Sequence, residues 1–115
     1  IAFFGENLDA TIDLLEHQEI SNLRFNCNLT KGDWIFNAKS VKISVSDDGK
    51  EFKEIHHQEF PIETVAEDGV MNFSVDFDKA NARYVNVVIE PFMCPEGHSG
   101  YGYPAWIFVD ELKIN

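Results

Sequence analysis

The residues best suited to chemistry lie in two stretches rich in glycine and aromatic side chains. One stretch runs from Pro91 to Pro104, and the other surrounds Trp34. Together they hold an indole, two phenols, an imidazole and a carboxylate, and the residues are Trp34, Glu96, His98, Tyr101 and Tyr103. Aromatic faces beside a few hydrogen-bonding groups suit a polar ring such as a sugar, whose CH groups can stack on a π cloud.

Three of these candidates also have a structural interpretation, and the sequence leaves both readings open. Trp34 could stack on a ligand, or it could plug the end of the domain. His98 could donate to a ligand hydroxyl, or it could fix its own loop by bonding a backbone carbonyl. Glu96 could accept two hydroxyl hydrogens, or it could simply be solvated.

Of the candidate residues, the two tyrosines are those that we most expect to be exposed. Tyr101 and Tyr103 are flanked by Gly100 and Gly102. Glycine permits loop conformations that push such neighbouring side chains outward. We therefore expect these phenols at the surface, where one of them could touch a ligand.

Catalytic arrangements are missing from the sequence. The adjacent acids Asp110 and Glu111 could suggest a general acid beside a second carboxylate. In a strand, however, neighbouring side chains point to opposite faces, so these carboxylates should diverge. No Ser-His-Asp or Cys-His order with a nucleophile elbow occurs, and no glycine loop opens a helix to bind phosphate. We expect a non-catalytic domain.

Composition indicates one small domain and excludes two classes of partner. The chain has 115 residues, of which 44% are hydrophobic, enough for a single core. Its net charge of −11 argues against nucleic acid and against an anionic membrane surface. No apolar run approaches the ~20 residues of a membrane span, so we expect no membrane insertion.

The start of the chain and its cysteines bear on its context. The sequence begins at Ile1 without a signal peptide, so we expect a piece of a longer protein or a mature form. Cys27 and Cys94 could form one disulfide or none. Nothing in their spacing specifies a bridge, and we expect two free thiols.

The elements that must position these groups are strands, because apolar residues recur with a period of two. The alternation in Leu23, Phe25 and Cys27 is typical. We predict strands at roughly 8–15, 19–29, 40–47, 51–58, 69–77, 83–90 and 105–115, with a polar turn or a single helical turn over 78–81. Seven short strands of this kind predict an all-β fold, an antiparallel β-sandwich of the jelly-roll type. Trp106 and Phe108 share one face of the last strand, and we expect them in the core.

The order of the strands predicts which connections lie together. If successive strands alternate in direction, the short connections at 16–18, 48–50 and 78–82 share one end of the sandwich, the plain end. The long connections at 30–39, 59–68 and 91–104 share the other, the loop end. In the short group, Asp48-Gly49 is a strong hairpin signal, because such turns need a positive φ. All of the candidate binding residues fall at the loop end.

Several motifs resemble one known family. Val41–Phe52 looks like the "S-x-DG-x-x-F" hairpin of discoidin-like, factor 5/8 type C domains, and Ala82–Val88 resembles their "ARYVRV" strand. Cys94–His98 and Ala105–Leu112 resemble more specifically the version at the C-terminus of bacterial β-N-acetylhexosaminidases. The resemblance covers nearly the whole chain and implies a galactose-binding-like sandwich of family 32 carbohydrate-binding type.

The resemblance also implies a function. It is non-catalytic binding of a glycan of the galactose or N-acetylhexosamine type, which holds a neighbouring catalytic domain near its substrate. The parent would be a glycan-degrading enzyme in the periplasm, at the cell surface or secreted. A different function stays open, in which the domain packs on the parent enzyme and binds nothing itself.

Finally, the resemblance bears on particular positions. Residues 1–115 would form one domain that lacks the family's first N-terminal strand. Leu15 stands where the family's "IDLG" strand usually has glycine. Arg83 corresponds to an arginine that commonly bonds backbone or an acid. Glu111 corresponds to an acidic residue that ligates Ca²⁺, and calcium wants six to eight oxygen ligands, so a calcium site stays open.

Overall fold

The computed structural model describes residues 2–4, 7–30, 32, 34–62, 67–94, 98 and 100–115. The described residues form six strands and no α-helix. The strands are β1 (Ala2–Phe4), β2 (Leu8–Leu29), β3 (Ser40–Ser46), β4 (Lys53–Glu59), β5 (Gly69–Glu90) and β6 (Trp106–Ile114). They form an antiparallel sheet in the order β1-β6-β2-β5-β3-β4. No helix in this part of the chain has the length and apolar character to cross a membrane.

The sheet is built around two 22-residue strands, β2 and β5, which pair along nearly their whole length. β3 extends the sheet beside the last part of β5, and β6 extends it beside the last part of β2. Because these partners flank opposite halves of the long pair, the sheet curls and its two halves bury one shared core. This arrangement confirms the predicted antiparallel β-sandwich.

The long strands correct the predicted boundaries. The segments 8–15 and 19–29 are one strand, as are 69–77 and 83–90. Pairing is interrupted between Asp13 and Gln18 but resumes at Gln18↔Ala82. The polar stretches that looked like turns are therefore bends in continuous strands, and a helical turn over 78–81 is wrong. The sequence also gave no sign of β1, which pairs with β6.

The bend in β2 is held by a network of hydrogen bonds around one carboxylate. Leu15 has φ of +73°, a conformation that L-residues rarely adopt. Asp13 Oδ1 accepts the Leu15 N–H at 2.8 Å. Arg83 donates from Nε to Asp13 Oδ1 at 3.0 Å and from Nη2 to Oδ2 at 3.1 Å. These donors, Arg83 first, lower the pKa of Asp13. Arg83 thus has the structural role that was expected.

The core confirms the period-two reading of the strands. The inward residues of β2 have almost no exposed surface, and they are Leu23, Phe25, Cys27 and Leu29. Phe25 stacks on Phe73 of β5 with ring centroids 5.1 Å apart. Cys27 and Cys94 are both buried free thiols. Burial raises the pKa of the Cys27 thiol to about 11, so this group stays neutral inside the core.

The predicted burial of Trp106 and Phe108 is wrong. Their side chains are 38% and 36% exposed, whereas Ile107 and Val109 are buried. Since side chains alternate along a strand, only one set can face the core. Over residues 106–109 both faces of β6 are apolar, and the smaller β-branched residues occupy the inward positions. The two aromatic rings lie on the outward face, 6.2 Å apart.

The two ends of the sandwich are arranged as the connections predicted. At the plain end, Gly49 of the β3–β4 hairpin has φ of +77° and lies against the ring of Tyr84, beside the bend in β5. At the loop end, Lys39 N–H donates to the Glu90 carbonyl, and Phe60 N–H donates to the Lys39 carbonyl, each at 2.8 Å. All three long connections therefore meet at one end.

Candidate functional site

The connection between β5 and β6 folds back on itself at the loop end. The Cys94 N–H donates to the Tyr103 carbonyl at 2.9 Å, and the Ala105 N–H donates to the Phe92 carbonyl at the same distance. An isolated bridge between Met93 and Pro104 lies between these bonds. The connection is therefore a short hairpin-like loop whose tip carries the candidate side chains.

Turns and one imidazole shape the tip. The Tyr101 N–H donates to the His98 carbonyl at 3.0 Å, and the Tyr103 N–H donates to the Gly100 carbonyl at 2.9 Å. Gly102 has φ of +89°, which a side chain would disfavour. His98 Nδ1 accepts the Gly100 N–H at 2.9 Å, so this nitrogen carries no proton. His98 thus fixes its own loop by accepting a backbone N–H.

Trp34 joins the connection between β2 and β3 to the start of β6. Its carbonyl accepts the Trp106 N–H at 2.7 Å, and its backbone has φ of +63°. The indole is half-buried over a small apolar cluster, whose buried members are Leu29, Phe36, Cys94 and Ala105. Trp34 therefore does plug the end of the sandwich, while part of its ring stays accessible. Strained backbone of this kind concentrates at functional sites.

Gly100 allows the two loops to approach each other. A Cβ added there would lie 2.8 Å from Cε2 of Trp34 and 3.0 Å from Sγ of Cys94. Real Cβ atoms do not tolerate the shorter distance, so glycine is the residue that fits. The Cys94 thiol beneath has its pKa raised by burial, which leaves an uncharged floor under the indole.

The aromatic side chains form a stepped surface, which we call the aromatic platform and define as Trp34 and Tyr103. Their ring centroids are 5.9 Å apart and their planes are tilted by 31°. His98 meets the Trp34 ring edge-on at 6.3 Å and also contacts Phe36 at 5.3 Å. Tyr103 and the nearby Tyr101 are each 62% exposed, which confirms the expected exposure. Two exposed phenol side chains therefore lie in the loop tip, which packs on the half-buried indole.

One residue that supports the loop end was missed in the sequence. Asn37 is 1% exposed, and its Nδ2 donates to the carbonyls of Ala38 at 2.9 Å and Pro61 at 3.1 Å. It thereby ties the connection after β2 to the connection after β4. The available signal was a single amide inside the apolar run Ile35–Ala38. An amide placed there is buried and must find partners.

Two residues predicted to bind a ligand or a metal lie wholly or partly outside the described part of the structure. Glu96 lies outside the described residues. Glu111 belongs to β6, but its side chain lies outside the described part of the structure. Among the residues that are described, no group of three or more His, Cys, Asp or Glu side chains could hold a metal ion. The calcium site therefore stays a prediction.

The chain resembles known proteins both in sequence and in fold. Residues 5–107 match the family described as F5/8 type C domain. No curated protein matches the chain. The solved structure of CpGH89CBM32-5 from Clostridium perfringens, in complex with GalNAc-β-1,3-galactose, is 22% identical with a TM-score of 0.57. The alignment covers 95% of this chain and 67% of that one.

Two further solved structures are similar. CBM32-3 from a family 31 glycoside hydrolase of Clostridium perfringens is 16% identical, with a TM-score of 0.57 and coverage of 94% of this chain and 69% of that chain. The C-terminal domain of a chitobiase from Bacteroides fragilis is 22% identical, with a TM-score of 0.49 and coverage of 96% and 66%. At these identities the first two likenesses establish the fold, which agrees with the observed sandwich.

Proposed function

The chain belongs to the F5/8 type C domain family, and on that premise we propose that it is a non-catalytic carbohydrate-binding module of a glycan-degrading enzyme. The observation that carries the proposal is the aromatic platform, a pair of tilted rings that is partly exposed and held by two loops. A sugar ring has apolar CH faces and a polar edge. The platform would stack on the first, and neighbouring hydrogen-bonding groups would bind the second.

Each site residue has a distinct part in this proposal. Trp34 and Tyr103 stack on the pyranose ring. Tyr101 contributes a hydroxyl that can donate or accept. His98 holds the tip in place, and its ring lies at the edge of the platform where a ligand hydroxyl would approach. Glu96 accepts hydroxyl hydrogens from the same sugar.

The bonds that brace the loop tip favour a site that is already formed before the ligand binds. The tip is braced by the His98–Gly100 bond and by the backbone bonds of Cys94 and Ala105. A preformed site loses little conformational entropy when the ligand arrives. Because the sugar carries no charge and stacking dominates, we expect binding that is weak and insensitive to salt.

We assign the ligand to the galactose or N-acetylhexosamine class. The ligand named for CpGH89CBM32-5, GalNAc-β-1,3-galactose, belongs to both groups and supports this choice. The hexosaminidase parent rests on the motifs Cys94–His98 and Ala105–Leu112. On the same resemblance we propose a periplasmic, cell-surface or secreted location.

The test is titration of the ¹⁵N-labelled domain with N-acetylgalactosamine, N-acetylglucosamine and galactose, followed by NMR. The expected result is a set of shifts confined to the loop end, above all at Trp34, Tyr101 and Tyr103. A folded domain that shows no shifts at tens of millimolar of any sugar would overturn the proposal, provided that a form extended at the N-terminus is also silent.

Calcium binding at Glu111 is proposed separately, on the resemblance alone. Adding CaCl₂ to the metal-free protein should raise its thermal midpoint if the site forms, because a ligand that binds only the native state stabilises it. Glu111→Gln should remove the increase. An unchanged midpoint at millimolar calcium, also with the N-terminal extension, would refute this part.

A second candidate function is a structural one, and the outward rings of Trp106 and Phe108 favour it. Exposed aromatic neighbours of this kind commonly mark a surface that another domain covers. In this reading the domain packs on its parent enzyme and binds no sugar. Trp106→Ser with Phe108→Ser would then destabilise the full-length enzyme while leaving the isolated domain folded.

A further inference from the structure

A polar groove, separate from the aromatic platform, lies on the side of the sandwich, away from the loop tip. It occupies the outward face of β2, β5 and β6 and has a volume of about 360 Å³. Its lining residues are Arg24, Asn26, Asn72, Phe73, Ser74 and Lys113. This volume falls within the range of about 300 to 1,000 Å³ that is typical of small-molecule sites. None of these residues belongs to the aromatic platform.

The sheet register brings two cations together in this groove. Arg24 is the Cα partner of Lys113 on β6 and of Ser74 on β5. Side chains directly opposite each other on a sheet are close, and like charges in such positions repel. Among the residues whose side chains are described, neither cation has an acidic partner within 4.0 Å. The chain as a whole has a net charge of −11, so two cations side by side stand out from the rest of the sequence.

Two acids, Asp76 and Asp110, lie near the pair in the sheet register. Asp76, two residues along β5 from Ser74, has its Oδ1 bonded by Asn22 Nδ2 at 2.8 Å. Asp110 is the Cα partner of Asn26. An arginine and a lysine side by side can share one anion, and the planar guanidinium matches a carboxylate or a sulfate in a two-point contact.

The remaining groups of the groove suit hydroxyls. Asn26 and Asn72 are register partners, and their amides contain both donors and acceptors. Ser74 Oγ accepts from Asn22 Nδ2 at 3.0 Å, so its own O–H can donate to a ligand. A surface with two cations beside three neutral polar groups matches a molecule that carries one negative charge and several hydroxyls.

We propose that this groove binds the anionic residue of a glycan, a uronate or a sulfated sugar, with Arg24 and Lys113 on the charged group and Asn26, Asn72 and Ser74 on the hydroxyls. The assignment of the anion to a sugar rests on the proposed carbohydrate-binding function. The binding of an anion by the cation pair is independent of that function. The loop end would then bind one sugar of a chain and the groove another, acidic, one.

The experiment is NMR titration of the intact domain at constant ionic strength with methyl glucuronide, methyl galacturonide, galactose 6-sulfate and galactose. The expected result is shifts at Asn26, Asn72 and Ser74 with the acidic sugars and none there with galactose. Whichever of the uronates and the sulfated sugar binds more tightly identifies the anionic group. Raising the salt concentration should weaken this binding, whereas binding at the aromatic platform should not change.

Arg24→Gln and Lys113→Gln provide the specific variants. Each removes a repelling charge from an exposed position, so both should fold at least as well as the parent protein. Each should weaken the acidic sugar about tenfold, as expected for loss of a charged hydrogen bond. Lys50→Gln, in the exposed hairpin at the plain end, is the matched control and should have no effect.

Three outcomes would overturn the proposal. Equal shifts with galactose would show that charge plays no part. Shifts with sodium acetate or sodium sulfate as large as those with the acidic sugars would mean an adventitious ion only. Shifts confined to Trp34 and Tyr103 would leave the proposed function intact and eliminate the groove as a site.

Discussion

Gly100 lies against the indole of Trp34 so closely that a Cβ on the glycine would be 2.8 Å from Cε2 of the ring. The contact joins two loops that are far apart in the chain. It sets the height of the indole relative to Tyr103, whose ring lies 5.9 Å from it. The shape of the aromatic platform therefore depends on a position without a side chain.

Gly100→Ala should displace Trp34 and weaken sugar binding. The added methyl group meets the indole and Cys94, which can relieve the overlap only by moving, and overpacking of this kind costs about 1 to 3 kcal/mol. Gly32→Ala is the matched control, because nothing lies within 4 Å of a Cβ there. Chemical denaturation and sugar titration would check both variants. Equal behaviour of the two would contradict the packing account.

Tyr103→Ala should reduce affinity for a neutral sugar by about two- to tenfold, the value of one aromatic stacking contact. Tyr103→Phe keeps the ring and should lose less. Phe52→Ala removes an exposed aromatic at the plain end and should leave affinity unchanged. Isothermal titration with the sugar that gives the largest NMR shifts would measure all three. A Tyr103→Ala variant with full affinity would remove this ring from the site.

Leu15→Gly should stabilise the domain by about 0.5 to 1 kcal/mol, because glycine adopts a positive φ without the steric cost that leucine carries. Leu15 has φ of +73° and is 79% exposed, so little packing is lost. Leu15→Ala keeps the Cβ and should show no such gain. Urea unfolding would compare the two, and a stability of the glycine variant no greater than that of the alanine variant would argue against strain.

Alkaline pH should destabilise the protein through Cys27. The pKa of its thiol is about 9 in the unfolded chain and about 11 in the fold, where burial disfavours the thiolate. Above pH 9 the unfolded chain ionises first, so the contribution of this thiol is complete below pH 9 and is lost as pH rises towards 11. The loss should reach about 2 to 3 kcal/mol.

Cys27→Ala isolates this effect. The variant starts from a lower stability because it leaves a cavity, but the difference between it and the parent protein should shrink between pH 9 and pH 11. Stability would be measured by urea unfolding at each pH. A difference that stays constant over this range would show that Cys27 does not titrate as the burial implies.

Much of the fold could be predicted because strand periodicity reports burial directly. The alternation in β2 placed Phe25 and Cys27 in the core, where both are found. The same rule was applied wrongly to β6. There both faces are apolar, and periodicity cannot tell which of two apolar sets faces the core. Trp106 and Phe108 consequently lie on the outward face of the sheet, where both are partly exposed.

The candidate site was predicted as a list of residues and not as a geometry. Strand order brought Trp34, Tyr101 and Tyr103 to one end, and the structure confirms that common location. The approach of Gly100 to Trp34 and the bond from Gly100 to His98 were beyond prediction. They depend on loop conformations that no periodic pattern encodes.

By itself, the sequence determined the class of the fold, the core residues of β2 and the end at which the aromatic groups collect. These follow from local alternation and from the order of the connections. Only the tertiary structure decided that β2 and β5 bend without breaking, that Arg24 faces Lys113, and that Trp34 rests on Gly100. Each of these joins distant parts of the chain, and such contacts are set by the packing of the whole sandwich.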